Sequence, residues 1–230
     1  QQQQQQEVDF ALSIDEARPV LRFGTGEKEK IVNAFGLWCA AVSIVTGLIW
    51  MAAMSLVGVS INQQEKIDPH RSIFDSTGKV WAKVWLSLID SYPTITGNVR
   101  QIRTPSDDTT ACLYVANHAS WLDIPVLCTV LDPVFKFIAK GELANVPCVG
   151  QQLQGGQHIL IDREDRRSQL KTFKEGMSYL RDKNVSLMAF PEGKRSEDGR
   201  LIEFKRGLFS LAAKAKVPII PITISHTAAV

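Results

Sequence analysis

The sequence has 230 residues, 45% hydrophobic and 22% charged, which allows one ordinary domain with an appendage and a buried core. The formal net charge of +2 is unevenly held: residues 98–230 carry 18 Lys/Arg against 14 Asp/Glu, and residues 1–97 carry 8 against 10. A mild positive bias in the second part suits an anionic substrate or a membrane surface and is too weak for a nucleic-acid interface.

Residues 1–30 open on six glutamines and stay polar and charged, the composition of a disordered low-complexity leader. Residues 31–62 follow without a charge, longer than the roughly 20 apolar residues that span a bilayer. They predict a membrane helical segment, either one long tilted helix or a re-entrant pair. Similar Lys/Arg counts on its flanks give no orientation. A polar connector over 63–77 leads to a helix over Gly78–Asp90, whose apolar residues recur at helical spacing. Trp81 and Trp85 there belong to a membrane interface or to a plain core face.

From Tyr92 on, apolar strands alternate with amphipathic helices. Strands are predicted at Thr94–Gly97, Cys112–Ala116, Phe135–Ala139, His158–Ile161, Val185–Phe190 and Ile219–Ile224. Helices are predicted near Pro125–Leu131, Ser168–Lys183 and Gly207–Lys214. Alternation of this kind argues an α/β sheet with helices packed on it, with the chemistry gathered at strand ends. The main domain is expected over 78–230.

The first candidate constellation is "NHASWLD", in which His118 closes an apolar strand and Asp123 follows five residues later. On a continuous helix the two would lie about 140° apart. Asp123 and Pro125 are residues of a helix's first turn, so a tight bend is expected between strand and helix. The bend lets Asp123 orient one imidazole nitrogen and leaves the other as a general base. The second is "FPEGKRS", a turn after a strand that offers Glu192, Gly193, Lys194 and Arg195. Arg195 suits a phosphate, and Glu192 suits that guanidinium or substrate hydroxyls. The third is "HILIDREDRR", which sets Arg163 at another strand end, with His158 on a structural position. The fourth, "VPIIPI", is an inert apolar strand.

No GxSxG, Walker A or GxGxxG pattern is present, so a serine elbow and nucleotide loops are excluded. Cys39, Cys112, Cys128 and Cys148 form no CxxC pair and no metal-ligand spacing, and read as free thiols of a reducing compartment. A first residue other than Met, with no capping signal at Val230, reads as a fragment.

Together, Asn117-His118 with Asp123, the Phe190–Ser196 block, Ile159–Arg163 and Val217–Ile222 resemble the glycerolipid acyltransferase family, most closely the 1-acylglycerol-3-phosphate acyltransferases. The blocks look like that family's NHxxxxD, FPEGTRS, arginine-bearing strand and proline motifs, over about Val99 to Val230. Lys194 stands where the family usually has Thr, and Gln157 where a Gly often precedes the arginine strand.

The resemblance implies an α/β fold with a mixed, largely parallel sheet flanked by helices, preceded by the membrane segment. It implies acyl transfer from acyl-CoA or acyl-carrier protein to the sn-2 hydroxyl of lysophosphatidic acid, giving phosphatidic acid. His118 is then the base and Asp123 its orienting carboxylate. Backbone N–H groups after His118 and the side chain of Lys140 are expected at the oxyanion. Arg163 and Arg195 are expected on the phosphate, with Glu192 and Gly193 at the substrate. No metal or redox cofactor is called for; the thioester is a co-substrate. The expected location is an endoplasmic reticulum or plastid membrane, as an integral protein. Two other readings stay open: the same chemistry on another lysophospholipid or glycerol-3-phosphate, and a non-catalytic, membrane-anchored lipid-binding homologue.

Overall fold

In the computed structural model the described residues are 20–23, 30–63, 68–97, 111–131, 134–196 and 199–227. Residues 1–19 and 24–29 of the expected leader lie outside them. Strands β1 (Val20–Phe23) and β2 (Lys30–Asn33) pair antiparallel, so residues 20–23 and 30 of the leader belong to a ladder rather than to the disordered chain expected. Helix α1 (Ala34–Gln63) follows directly. At 1.5 Å per residue its 30 residues are about 45 Å long, and its stretch Ala34–Val59 is long and apolar enough to cross a membrane.

Helix α2 (Ser72–Leu88) begins six residues earlier than expected, inside the supposed connector. Asp68 explains the early start: its carboxylate accepts from Ser72 N and Ile73 N at 2.8 and 2.9 Å and satisfies two donors of the first turn. Four indole N–H groups tie α1 to α2: Trp38 to Leu88 O, Trp85 to Ser43 Oγ, Trp81 to Thr46 Oγ1 and Trp50 to Thr77 Oγ1. Residue numbers fall along one helix as they rise along the other, so the pair is antiparallel. Trp81 and Trp85 thus belong to a helix–helix contact, with Trp50 stacked on Trp81 at 4.4 Å. The stripe Val80, Val84 and Leu88 faces outward, exposed, like Ile44, Leu48 and Leu56 of α1.

The remaining elements are β3 (Leu113–Ala116), α3 (Asp123–Val130), β4 (Phe135–Lys140), α4 (Val149–Gly155), β5 (Ile159–Ile161), α5 (Arg166–Met177, continued by a π turn over Ser178–Asp182), β6 (Ser186–Ala189), α6 (Arg206–Ala215) and β7 (Ile219–Ile222). The sheet order is β5-β4-β6-β3-β7, and all four pairings are parallel. All five carboxyl ends therefore lie on one edge. Both faces are covered, as a parallel sheet requires. Leu113, Val115 and Leu187 point into a core with Leu180 and Leu211 from the α5 and α6 side. Tyr114, Ala116, Phe135 and Met188 point the other way, against Leu127 and Leu131. Pro221 sits in β7, whose outer side is free of a described strand and tolerates the missing N–H.

Thr94–Gly97, expected as a strand, is irregular: no described strand runs beside it to take its backbone bonds. α4 was not foreseen from the sequence, being only seven residues long. Gln157 adopts φ 54°, a left-handed position that glycine fills without strain, which accounts for the residue type usual there in the resembling family. β4 is joined to α2 by a buried ion pair of Lys136 with Asp75. Asp75 also receives Gln152 Nε2 at 3.2 Å and faces His158 Nε2 at 3.3 Å. His158 Nδ1 accepts from Phe137 N at 2.9 Å, so His158 is structural, as the sequence suggested.

Candidate active site

Strand β3 ends at Ala116, and α3 begins at Asp123, so His118 lies on the bend between them. The bend brings His118 Nδ1 to 2.7 Å from Asp123 Oδ2. That same oxygen accepts from Ala119 N at 2.8 Å and Ser120 N at 2.9 Å, and Oδ1 accepts from Thr227 Oγ1 at 2.6 Å. Burial pushes the Asp123 carboxyl up, but the bonds from His118, Ser120, Thr227 and Ala119 outweigh it and hold the group below the ordinary carboxylate range. Asp123 is therefore an acceptor, so the proton of the pair sits on Nδ1 of His118. In the neutral imidazole this tautomer puts the lone pair on Nε2, the atom a general base would use. The imidazole stacks on Phe190 with ring centres 3.9 Å apart and planes 13° apart, which fixes the ring's second axis.

The loop after β6 clasps the His118 backbone from both sides. His118 N–H donates to Glu192 Oε1 at 2.8 Å, and Ser196 N–H donates to the His118 carbonyl at 2.8 Å. The other oxygen of Glu192 accepts from Ile202 N at 3.0 Å. Glu192 is 3% exposed. Glu192, expected to hold a guanidinium or substrate hydroxyls, here accepts a backbone N–H at each oxygen, the arrangement of a buried brace. The same bonds engage some of the N–H groups expected at the oxyanion. The N–H groups of His118, Ala119 and Ser120 point at Glu192 and Asp123, not at an oxyanion. Lys140, the other expected oxyanion donor, closes β4 in an exposed pair with Glu142 at 2.7 Å. β6 stands between β4 and the strand that carries His118.

A cleft of about 420 Å³ opens beside Phe190, between the ends of β5 and β6 and helices α5 and α6. Its wall is apolar, with Ile138, Ile161, Leu170, Phe173 and Leu208, and its cations are Arg163, Arg166 and Lys205. Arg163 sits on a preorganised turn: Asp165 caps α5 through Arg167 N and Ser168 N, and Gln169 Nε2 donates to the Arg163 carbonyl at 2.8 Å. Burial lowers the Arg163 guanidinium from its ordinary value, yet an arginine stays charged. Gly193 lines the cleft at φ 74°, and a Cβ there would come within 2.8 Å of Lys205 Cε. The left-handed φ is what calls for glycine here, and the flexible end of Lys205 passes close over it. Lys205 and Arg166 were not singled out from the sequence; "FKRG" and "DRR" hold the signal only in hindsight, because charged residues near helix starts are commonplace.

Arg195 is exposed and lies elsewhere, with its guanidinium 4.9 Å from the ring centre of Trp121. Trp121 lines a second cavity of about 220 Å³ with Trp50, Trp81, Trp85 and Cys128, between the α1–α2 pair and α3. Arg163 and Arg195, expected on one phosphate, are thus set apart: Arg163 lines the first cleft, and Arg195 lies over Trp121, outside that cleft's lining. Lys194 is exposed beside Arg195. All four cysteines are free thiols.

Comparison with known proteins gives a consistent picture. The family model "Acyltransferase" matches residues 95–225. The chloroplastic 1-acyl-sn-glycerol-3-phosphate acyltransferase of Arabidopsis thaliana is 41% identical over 161 residues, 70% of this chain and 43% of that protein. That of Brassica napus, also chloroplastic, is 39% identical over 146 residues, covering 64% and 42%. The crystal structure of the 1-acyl-sn-glycerophosphate (LPA) acyltransferase PlsC from Thermotoga maritima superposes with a TM-score of 0.63 at 25% identity, covering 84% of this chain and 74% of that one. The chain spans less than half the length of the curated relatives it matches.

Proposed function

This chain belongs to the acyltransferase family, and from that premise we propose that it moves a fatty acyl group from an acyl thioester to the sn-2 hydroxyl of 1-acylglycerol-3-phosphate, giving phosphatidic acid. The carrying observation is the His118–Asp123 pair at 2.7 Å, which engages Nδ1 and turns the Nε2 edge away from Asp123. In the proposed reaction Nε2 takes the proton of the acceptor hydroxyl as its oxygen bonds to the thioester carbon. The C–S bond then breaks, and the proton passes from Nε2 to the departing sulfur, releasing a thiol. Asp123 holds the tautomer and stabilises the imidazolium while it exists. General-base help of this kind contributes roughly 10²–10⁴ in rate.

The substrate assignment draws on the relatives' names and on the cleft. Arg163, with Lys205 and Arg166, offers cations above an apolar wall, which suits a phosphate on an acyl chain. Arg195 is left for an anionic group reaching the site from the Trp121 side, such as the phosphate of acyl-CoA or of acyl-carrier protein. Neither a metal nor a redox cofactor enters this chemistry. The exposed apolar outer faces of α1 and α2 suit a lipid bilayer, where acceptor and product reside. Two chloroplastic relatives favour a plastid membrane over the endoplasmic reticulum.

The test is acyl transfer by the full-length protein in detergent, with a panel of lysophospholipid and glycerol-3-phosphate acceptors and both thioester types. Lysophosphatidic acid is expected to be the preferred acceptor. His118→Ala is expected to lose at least roughly 10² in kcat with unchanged melting, and Asp123→Asn nearly as much. Normal turnover in well-folded His118→Ala protein would refute the mechanism; preference for another acceptor would refute the substrate.

A further inference from the structure

One of the donors on Asp123 comes from neither of the loops that build the site. Oδ2 is served locally, by His118, Ala119 and Ser120. Oδ1 is served by the Thr227 hydroxyl, 104 residues along the chain, at 2.6 Å. Thr227 is 8% exposed and Asp123 fully buried. We infer that Thr227 is a positioning residue of the acyl-transfer site, fixing the plane of the Asp123 carboxylate and through it the His118 imidazole. The inference rests on the acyl-transfer reading above.

A carboxylate held at one oxygen keeps a soft torsion about Cβ–Cγ, because such sp³–sp² torsions have broad minima. Bonds at both oxygens remove that freedom. Without the Thr227 hydroxyl, Oδ1 would be a buried, charged acceptor short of a donor, a costly state. The carboxylate would relieve it by turning toward the N–H groups of Ala119 and Ser120. Oδ2 would then swing away from Nδ1, and Nε2 would lose its aim at the acceptor hydroxyl.

The fold delivers Thr227 to this spot by a specific tether. β7 lies beside β3 with Ile222 opposite Ala116. Two residues further, the side-chain amide of Asn117 bonds Ile224 twice: Ile224 N–H donates to Oδ1, and Nδ2 donates to the Ile224 carbonyl, each at 2.8 Å. The chain then turns at His226, which sits at φ 65°. Thr227 follows, aimed at Asp123. Asn117, next to the base in sequence, thereby fastens the segment that carries the second support of the base's carboxylate.

The test is steady-state kinetics of the full-length enzyme with lysophosphatidic acid and acyl thioester, beside thermal melting, for wild type, His118→Ala, Thr227→Val and Thr227→Ser. Thr227→Val is expected to lower kcat roughly 10-fold or more, the effect of a lost hydrogen bond to a charged group, while both KM values hold. Thr227→Ser, which keeps the hydroxyl, is expected to restore most of kcat. A normal kcat in Thr227→Val, a rise in KM in place of the fall in kcat, or a Ser variant as slow as the Val variant would each overturn the assignment. Where Thr227→Val is too unstable to purify, Thr227→Cys decides in its place, because its S–H is a weak donor. A kcat equal to that of Thr227→Ser would overturn the assignment, and a lower one would support it. An inactive wild type or a fully active His118→Ala would refute the acyl-transfer reading itself; normal kcat in Thr227→Val beside a dead His118→Ala would refute only the role of Thr227.

Discussion

Glu192→Gln separates a brace from a substrate ligand. The substitution keeps the volume of a side chain that is 3% exposed, so it opens no cavity. What changes is the chemistry of two bonds, from His118 N–H at 2.8 Å and from Ile202 N–H at 3.0 Å. A glutamine amide has one oxygen to offer. Whichever N–H keeps it now bonds a neutral acceptor, and the other meets an NH₂ group, donor against donor. A hydrogen bond to a charged group contributes about 1.5–3 kcal/mol, so losing one and weakening the other costs about 3 kcal/mol. For a chain of this size each kcal/mol moves the melting midpoint by about 2–4 °C, which gives a fall of roughly 6–12 °C. Because one of the two N–H groups belongs to His118, kcat is expected to fall as well, with both KM values near wild type. The assay is thermal melting in detergent beside kinetics with both substrates varied. An unchanged melting midpoint with a raised KM for lysophosphatidic acid would show that Glu192 touches substrate, and the brace argument would be refuted.

Three further outcomes are expected. Arg163→Ala is expected to raise KM for lysophosphatidic acid roughly 10- to 100-fold while the thioester KM changes far less, and Arg163→Lys to recover little, because the planar fork is lost; a rise confined to the thioester would reassign the cleft. The Asp123 carboxyl titrates below its unfolded value, so its contribution to stability is present above about pH 3.9 and is lost as pH falls through the folded value. Denaturation midpoints of wild type and Asp123→Asn are therefore expected to converge as pH drops below about 4, and a gap that widens there would contradict the sign. The intact protein is expected to stay in the pellet after carbonate extraction and to leave it when 31–62 are deleted; an intact chain that washes off would refute membrane insertion.

Much of this protein is written locally. Asp123 could be paired with His118 from the sequence because five residues and a first-turn proline leave a bend little choice. The charge-free run announced α1, and apolar alternation announced each strand of the sheet, because both faces of a parallel sheet are covered and its strands must be apolar throughout. Where local pattern had no partner it misled: Thr94–Gly97 reads as a strand but has no described neighbour to bond. The roles decided only by the tertiary structure involve groups far apart in sequence. Glu192 carries a charge in a surface-like turn, and only the approach of the His118 bend, 74 residues away, turns that charge into a buried acceptor. Arg163 and Arg195 look alike as strand-end cations, yet the sheet order sends one to the α5–α6 cleft and the other to Trp121. Thr227 carries no signal at all in the sequence, since a hydroxyl gains a role only from the acceptor it meets, and that acceptor is brought to it by the pairing of β3 with β7.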